Sequence, residues 1–145
     1  MKVKKLYPDA KLPTYGSKNA AGMDLYAYFD EDKDYQRIWP GKTVMIKTGI
    51  SIACPDGYFA GIFARSGLAT KQGLRPANCV GVVDSDYRGE VIVALHNDSG
   101  YAQTINKGDR IAQMVILPYV PVLIEEVEQL DDTERSSGGF GSTGK

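Results

Sequence analysis

Apolar residues in this chain come in short bursts between clusters of turn formers, and almost nowhere do they recur at a helical period. Residues 23–28, 43–52, 58–63, 80–83, 91–95, 111–117 and 122–127 are rich in β-branched and aromatic side chains, which predicts strands. Between them lie Pro40-Gly41, Pro55-Asp56-Gly57, Asp98-Ser99-Gly100 and Asn106-Lys107-Gly108-Asp109, each composed to turn the chain. The best helical stretch runs from Ser66 to Gln72, one or two turns closed by Gly73. Many short strands at regular spacing predict an all-β protein, a jelly-roll-like barrel or sandwich with one short helix. Its edge strands need cover, which oligomerisation could provide.

Three segments stand out against that pattern. Residues 78–91 place two apolar runs around Asp84-Ser85-Asp86-Tyr87-Arg88-Gly89, which reads as a β-hairpin with a crowded polar turn. Residues 30–37 carry mostly charge and read as a solvated loop tip. After Leu130 the composition changes abruptly: residues 131–145 cannot build a core and are expected to form a mobile, glycine-rich arm on a single domain spanning residues 1–130.

Length fits this division, because 145 residues suffice to bury one sizeable core. Net charge is −1 with both signs interspersed, so neither nucleic acid nor an acidic membrane is an expected partner. The longest apolar runs are too short to span a bilayer, and Met1-Lys2-Val3-Lys4-Lys5 leads into no signal-peptide core, so an intracellular protein is expected. Cys54 and Cys79 make no Cys-x-x-Cys pair and no disulfide framework, and read as free thiols. His96 is the only histidine, which excludes a multi-histidine metal site; in its setting it reads as a strand-end residue. Any chemistry must therefore run on carboxylates, hydroxyls and backbone amides, with or without a metal ion.

Two places suit phosphate. Arg65-Ser66-Gly67 brings a guanidinium, a hydroxyl and a glycine amide to the start of the short helix, although such corners are also common without a ligand. Gly139-Phe140-Gly141-Ser142-Thr143-Gly144-Lys145 satisfies the Gly-x-x-x-x-Gly-Lys part of a P-loop, but no strand leads into it and no Ser/Thr follows the lysine. Its glycines and hydroxyls, with Arg135, still suit an anion, and Phe140 has no use in a disordered tail unless its ring lands on something flat; a plain flexible end is the alternative.

Ala21-Gly22-Met23-Asp24-Leu25, Arg65-Ser66-Gly67-Leu68-Ala69, Gly81-Val82-Val83-Asp84-Ser85-Asp86-Tyr87-Arg88-Gly89, Gly108-Asp109-Arg110-Ile111-Ala112-Gln113 and the tail from Arg135 to Gly144 resemble, in order, the five motifs of the homotrimeric dUTPases. Ser136 departs from the glycine usual in that family after the tail arginine, which could stiffen the arm slightly.

The resemblance implies a homotrimer that hydrolyses dUTP to dUMP and pyrophosphate, limiting uracil incorporation into DNA and supplying dUMP for thymidylate synthesis. It implies that Asp84 is the general base for a water attacking the α-phosphorus. Asp86, two residues on, points to the opposite face if the backbone stays extended, and reads as structural. By the same carry-over Asn78 and the backbone near Val82 and Val83 read the uracil edge, and Tyr87 lies under the deoxyribose and excludes a 2′-hydroxyl. Ser66, Gly67 and Gln113 hold the α/β-phosphates beside Arg65, and Arg135, Gly141 and Ser142 hold the γ-phosphate, while Phe140 covers the uracil and the arm closes over a neighbouring subunit's site. Mg²⁺ would ride on the triphosphate and waters. Asp24 either touches a metal-bound water or pairs with Arg65. The rival readings are a dCTP deaminase-like enzyme and a non-catalytic nucleotide-binding protein on the same scaffold.

Overall fold

A computed structural model describes residues 1–139 of the chain. In chain order the elements are β1 (Lys2–Lys5), β2 (Thr14–Tyr15), β3 (Met23–Tyr26), β4 (Tyr35–Ile38), β5 (Thr43–Ala53), β6 (Tyr58–Phe63), α1 (Ser66–Gln72), β7 (Leu74–Pro76), β8 (Gly81–Val83), β9 (Glu90–Asn97), β10 (Gln103–Asn106) and β11 (Arg110–Pro118). They form a four-stranded sheet in the order β1-β5-β9-β7, a five-stranded sheet in the order β2-β3-β11-β6-β8, and a separate β10-β4 ribbon. The pairings are antiparallel and the neighbours mostly non-consecutive, giving the jelly-roll architecture that the strand pattern predicts.

Alternation explains the layering. In β9 Val91, Val93, Leu95 and Asn97 point inward, while Ile92, Ala94 and His96 point away from the core. Ile46 and Ile50 of β5, Ile62 of β6 and Ile111 and Met114 of β11 join them in one apolar cluster. Each such fully buried side chain contributes roughly 1.5–3 kcal/mol relative to exposure. The buried Asn97 is satisfied locally: its amide nitrogen donates to the carbonyls of Ile38 at 2.8 Å and Tyr101 at 2.7 Å, binding the β10-β4 ribbon to β9. The amino-terminal segment is fastened by β1 on β5, by a Tyr7–Tyr28 stack at 4.3 Å and by Lys107 on Asp9 at 2.7 Å. The predicted helix is present, and Gly73 closes it with φ 66°, a conformation that favours glycine. No helix among the described residues is long and apolar enough to cross a membrane.

Four expectations need correction. Residues 78–91 do not form a hairpin ladder: β8 pairs with β6, and β9 pairs with β5 and β7, so the turn carries the chain from one sheet to the other. Periodicity shows which residues face inward but not which strand lies beside them. Residues 84–86 leave extended geometry for a turn, closed by the Tyr87 N–H on the Asp84 carbonyl at 3.2 Å, so alternation gives no direction for Asp86. Residues 35–37, read as part of the charged loop, belong to the strand Tyr35–Ile38, whose Ile38 reaches the core. Residues 122–127 form no strand with their own chain; Leu123 and Ile124 are 101 % and 94 % exposed. A strand needs a neighbour for its backbone groups, and apolar sequence alone does not supply one.

Candidate functional site

Most of the described residues expected to carry chemistry gather in two clusters. The first is a cleft of about 340 Å³ where the two sheets diverge, between the β8 edge and β9. Asn78, Gly81, Val82, Val83, Asp84 and Tyr87 line one wall; Met45 and Ile92 lend an apolar floor. As the outermost strand of its sheet, β8 uses one row of backbone groups on β6 and leaves the other without a strand partner among the described residues. Such an edge can read the donor and acceptor pattern of a planar base. Asn78 adds an amide beside it: the turn that holds it is closed by the Cys79 N–H on the Pro76 carbonyl at 3.1 Å, with Cys79 at φ 62°. A Cβ on Gly81 would lie 3.4 Å from the Asn78 amide nitrogen and 3.1 Å from the Ile62 Cβ, so a glycine keeps this corner close. Asp84 is exposed at the strand's end and also borders a second hollow, with Phe59, Ser85, Asp86 and Tyr119. Tyr87 folds back so that its hydroxyl donates to the Glu90 carbonyl at 3.0 Å.

The second cluster lies where β3, β11 and the start of α1 meet. Arg65 Nε donates to Asp24 Oδ1 at 2.7 Å, and Arg110 Nη1 donates to Asp24 Oδ2 at 3.2 Å. Asp24 therefore engages two guanidiniums, one on each oxygen, at 13 % exposure. Gln113 donates from Nε2 to the Ala64 carbonyl at 2.8 Å, and a Cβ on Gly22 would meet its Oε1 at 2.8 Å. With Ser66 and Gly67 these residues border a cavity of about 440 Å³. Among the described residues no side chain caps the helix start after Arg65, leaving its first amides without that partner. Two arginines, a hydroxyl and free amides make this corner suited to an anion.

Of the residues expected in one site, Asn78, Val82, Val83, Asp84 and Tyr87 share the first cavity, whereas Asp24, Arg65, Ser66, Gly67 and Gln113 share the second; the two linings have no residue in common. Arg135 belongs to neither and donates to the Gly138 carbonyl at 2.9 Å within the tail. Phe140, Gly141 and Ser142 lie outside the described residues. Arg110 was not expected as a site residue, and its only signal was its place in the Gly108-Asp109-Arg110 motif. Among the described residues, no group of three or more His, Cys, Asp or Glu is placed to hold a metal ion.

Fold and site together define a jelly-roll protein with a base-sized cleft that carries the exposed carboxylate of Asp84, and an arginine-lined corner suited to phosphate. The dUTPase family model matches residues 8–144. A deoxyuridine 5′-triphosphate nucleotidohydrolase of Nautilia profundicola is 49 % identical over 100 % of this chain and 99 % of its own, and that of Clostridium tetani is 50 % identical over 100 % and 97 %. In structure, the dUTPase of Staphylococcus bacteriophage 80alpha, a G164S mutant solved with dUpNHpp, superposes with a TM-score of 0.87 at 27 % identity, covering 99 % of this chain and 98 % of the phage chain. The chain belongs to the dUTPase family.

Proposed function

We infer that the protein is a dUTP diphosphatase, hydrolysing dUTP to dUMP and pyrophosphate by attack of water on the α-phosphorus. The observation that carries this reading is the first cleft: Asp84 and Tyr87 border the same cavity as the unpaired edge of β8. In this reading the β8 backbone and the Asn78 amide take the uracil edge, and Tyr87 takes the sugar and leaves no room for a 2′-hydroxyl. Asp84, exposed at the strand's end, holds the attacking water and accepts its proton. Arg65 and Arg110, held by Asp24, set the charge of the corner where Ser66, Gly67 and Gln113 receive the phosphates.

Mg²⁺ fits this arrangement. With no carboxylate cage among the described residues, and with both oxygens of Asp24 engaged by arginines, the ion would be held mainly by triphosphate oxygens and water, as a hard cation that keeps its hydration prefers. When bound it neutralises charge on the phosphates.

The enzyme acts as a homotrimer. Among the described residues the base cleft and the phosphate corner line separate cavities, and in this reading a complete site joins the cleft of one subunit to the corner of another. Residues 122–127, strand-like in sequence but exposed in the single chain, find their strand partner on a second copy. Residues 131–145 then lie across a neighbouring site, with Arg135, Gly141 and Ser142 on the γ-phosphate and Phe140 over the uracil. This activity fits an intracellular enzyme.

The test is product identification. Incubated with Mg²⁺ and either dUTP or dCTP, the protein converts dUTP to dUMP and pyrophosphate and leaves dCTP intact. A deaminated nucleotide would instead show a deaminase on this scaffold, and unchanged dUTP a binding protein.

A further inference from the structure

A polar network outside the residues given roles above leads into the cleft. β5 breaks register with β9 between Lys47 and Ser51, and the bulge made there is lined with donors. The buried Thr48 hydroxyl donates to the Val91 carbonyl at 2.5 Å, and the buried Ser51 hydroxyl donates to the Arg88 carbonyl at 2.9 Å. Between them the Gly49 N–H donates to Glu90 Oε1 at 2.7 Å. All three bonds land on residues 88–91, the stretch that leads out of the turn bearing Asp84 and Tyr87.

Glu90 is thus used at both ends. Its carboxylate docks on the bulge, and its carbonyl receives the Tyr87 hydroxyl at 3.0 Å. Gly89 makes the other half of the mount: a Cβ there would fall on the Tyr87 hydroxyl and ring, so the ring occupies space that only glycine leaves open. The φ of Gly89 lies outside the left-handed region, so the backbone does not require glycine and the ring does.

We propose that Glu90 and Gly89 are the positioning residues that set the enzyme's sugar preference, by fixing the Tyr87 ring where it excludes a 2′-hydroxyl; this rests on the reading of the cleft as the sugar subsite. Rejection by bulk is only as strong as the wall is rigid, and a hydroxyl is a single heavy atom. A tyrosine on an exposed turn can swing that far about its side-chain torsions. The tether to Glu90 and the seat over Gly89 stop the swing, and the bulge anchors Glu90 to the core.

Three variants test this: Gly89→Ala, Glu90→Ala and Glu90→Gln. The methyl of Gly89→Ala meets the far end of a side chain rather than backbone, so the ring moves and the fold remains. Glu90→Ala releases the bulge amide, and Glu90→Gln keeps an oxygen to accept it. The readout is the ratio of kcat/KM for UTP to that for dUTP, with thermal unfolding measured alongside. The ratio should rise about tenfold in Gly89→Ala and Glu90→Ala, roughly the effect of one lost hydrogen bond, and stay near the wild-type value in Glu90→Gln. A merely structural role would lower the melting temperature, or both specificity constants together, and leave the ratio alone; that result overturns the proposal. If Glu90→Ala does not fold, the ratio in Gly89→Ala decides the matter. A wild-type protein inactive on dUTP would refute the reading of the cleft, whereas an active one whose ratio never moves refutes only this inference.

Discussion

Asp24→Asn is the sharpest test of how the corner proposed to take phosphate is held. The native carboxylate accepts Arg65 Nε at 2.7 Å and Arg110 Nη1 at 3.2 Å, with side-chain exposures of 13 % for Asp24, 25 % for Arg65 and 52 % for Arg110. An asparagine keeps one acceptor oxygen and turns an amide donor toward the other guanidinium, so one arginine loses its partner. The Arg110 contact is half-exposed and should count for no more than about 1 kcal/mol. The Arg65 contact is shorter and better shielded, and a charge-assisted hydrogen bond of that kind is worth about 1.5–3 kcal/mol. A net loss of about 2–3 kcal/mol follows, because the asparagine oxygen retains part of one bond. For a chain of this length that corresponds to a fall in melting temperature of roughly 5–10 °C at fixed protein concentration. Denaturant unfolding gives the free energy, and steady-state kinetics should show KM for dUTP rising more than kcat falls, since the freed Arg65 stands next to Ser66. If the variant unfolds within about 0.5 kcal/mol of wild type, the range of an ordinary surface substitution, Asp24 does not organise the corner and this account of it is wrong.

Three further outcomes are expected. Asp84→Asn should lose roughly 10²- to 10⁴-fold in turnover, the usual effect of removing a general base, with little change in nucleotide affinity; near-normal turnover, or a larger loss in Asp86→Asn, would contradict the assignment. Inactive Asp84→Ala and a truncation ending at Glu134, unfolded and refolded together, should recover activity at about a quarter of sites in an equal mixture of symmetric trimers, and verified mixed trimers without activity would refute arm exchange. The hydrogen bond that Lys107 donates to the Asp9 carboxylate holds Asp9 below its ordinary range and Lys107 above its own. The carboxylate's contribution is therefore present above a pH of about 4 and lost as pH falls through the depressed value, and the ammonium's is lost only as pH rises beyond about 10.5. Melting temperatures of wild type and Asp9→Asn should thus differ by a constant amount near neutrality and converge in acid; a gap that persists in acid would contradict this pairing.

How far the sequence alone led depended on the kind of signal. Val91, Val93 and Leu95 announced their inward face by period two, and Gly73 announced the end of the helix by being the residue that tolerates φ 66°. Partnership was not legible: residues 80–83 and 91–95 read as a hairpin yet belong to different sheets, because alternation is indifferent to which strand lies alongside. Short strands such as Leu74–Pro76 and Gln103–Asn106 escaped for want of length. The pairing of Asp24 with Arg65 was one of two alternatives that the resemblance implied, but Arg110, at the start of β11, gave no comparable sign. The lone Gly49 was the one sign of a bulge in an otherwise strand-like run, and only the register with β9 shows three residues of β5 set against Val91.

The central claim is that a water held by Asp84 attacks the α-phosphorus of dUTP. It is tested most directly by running the reaction in ¹⁸O-labelled water under single-turnover conditions and weighing both products. One labelled oxygen should appear in dUMP and none in pyrophosphate. Label in pyrophosphate would place the attack on the β-phosphorus and contradict the claim.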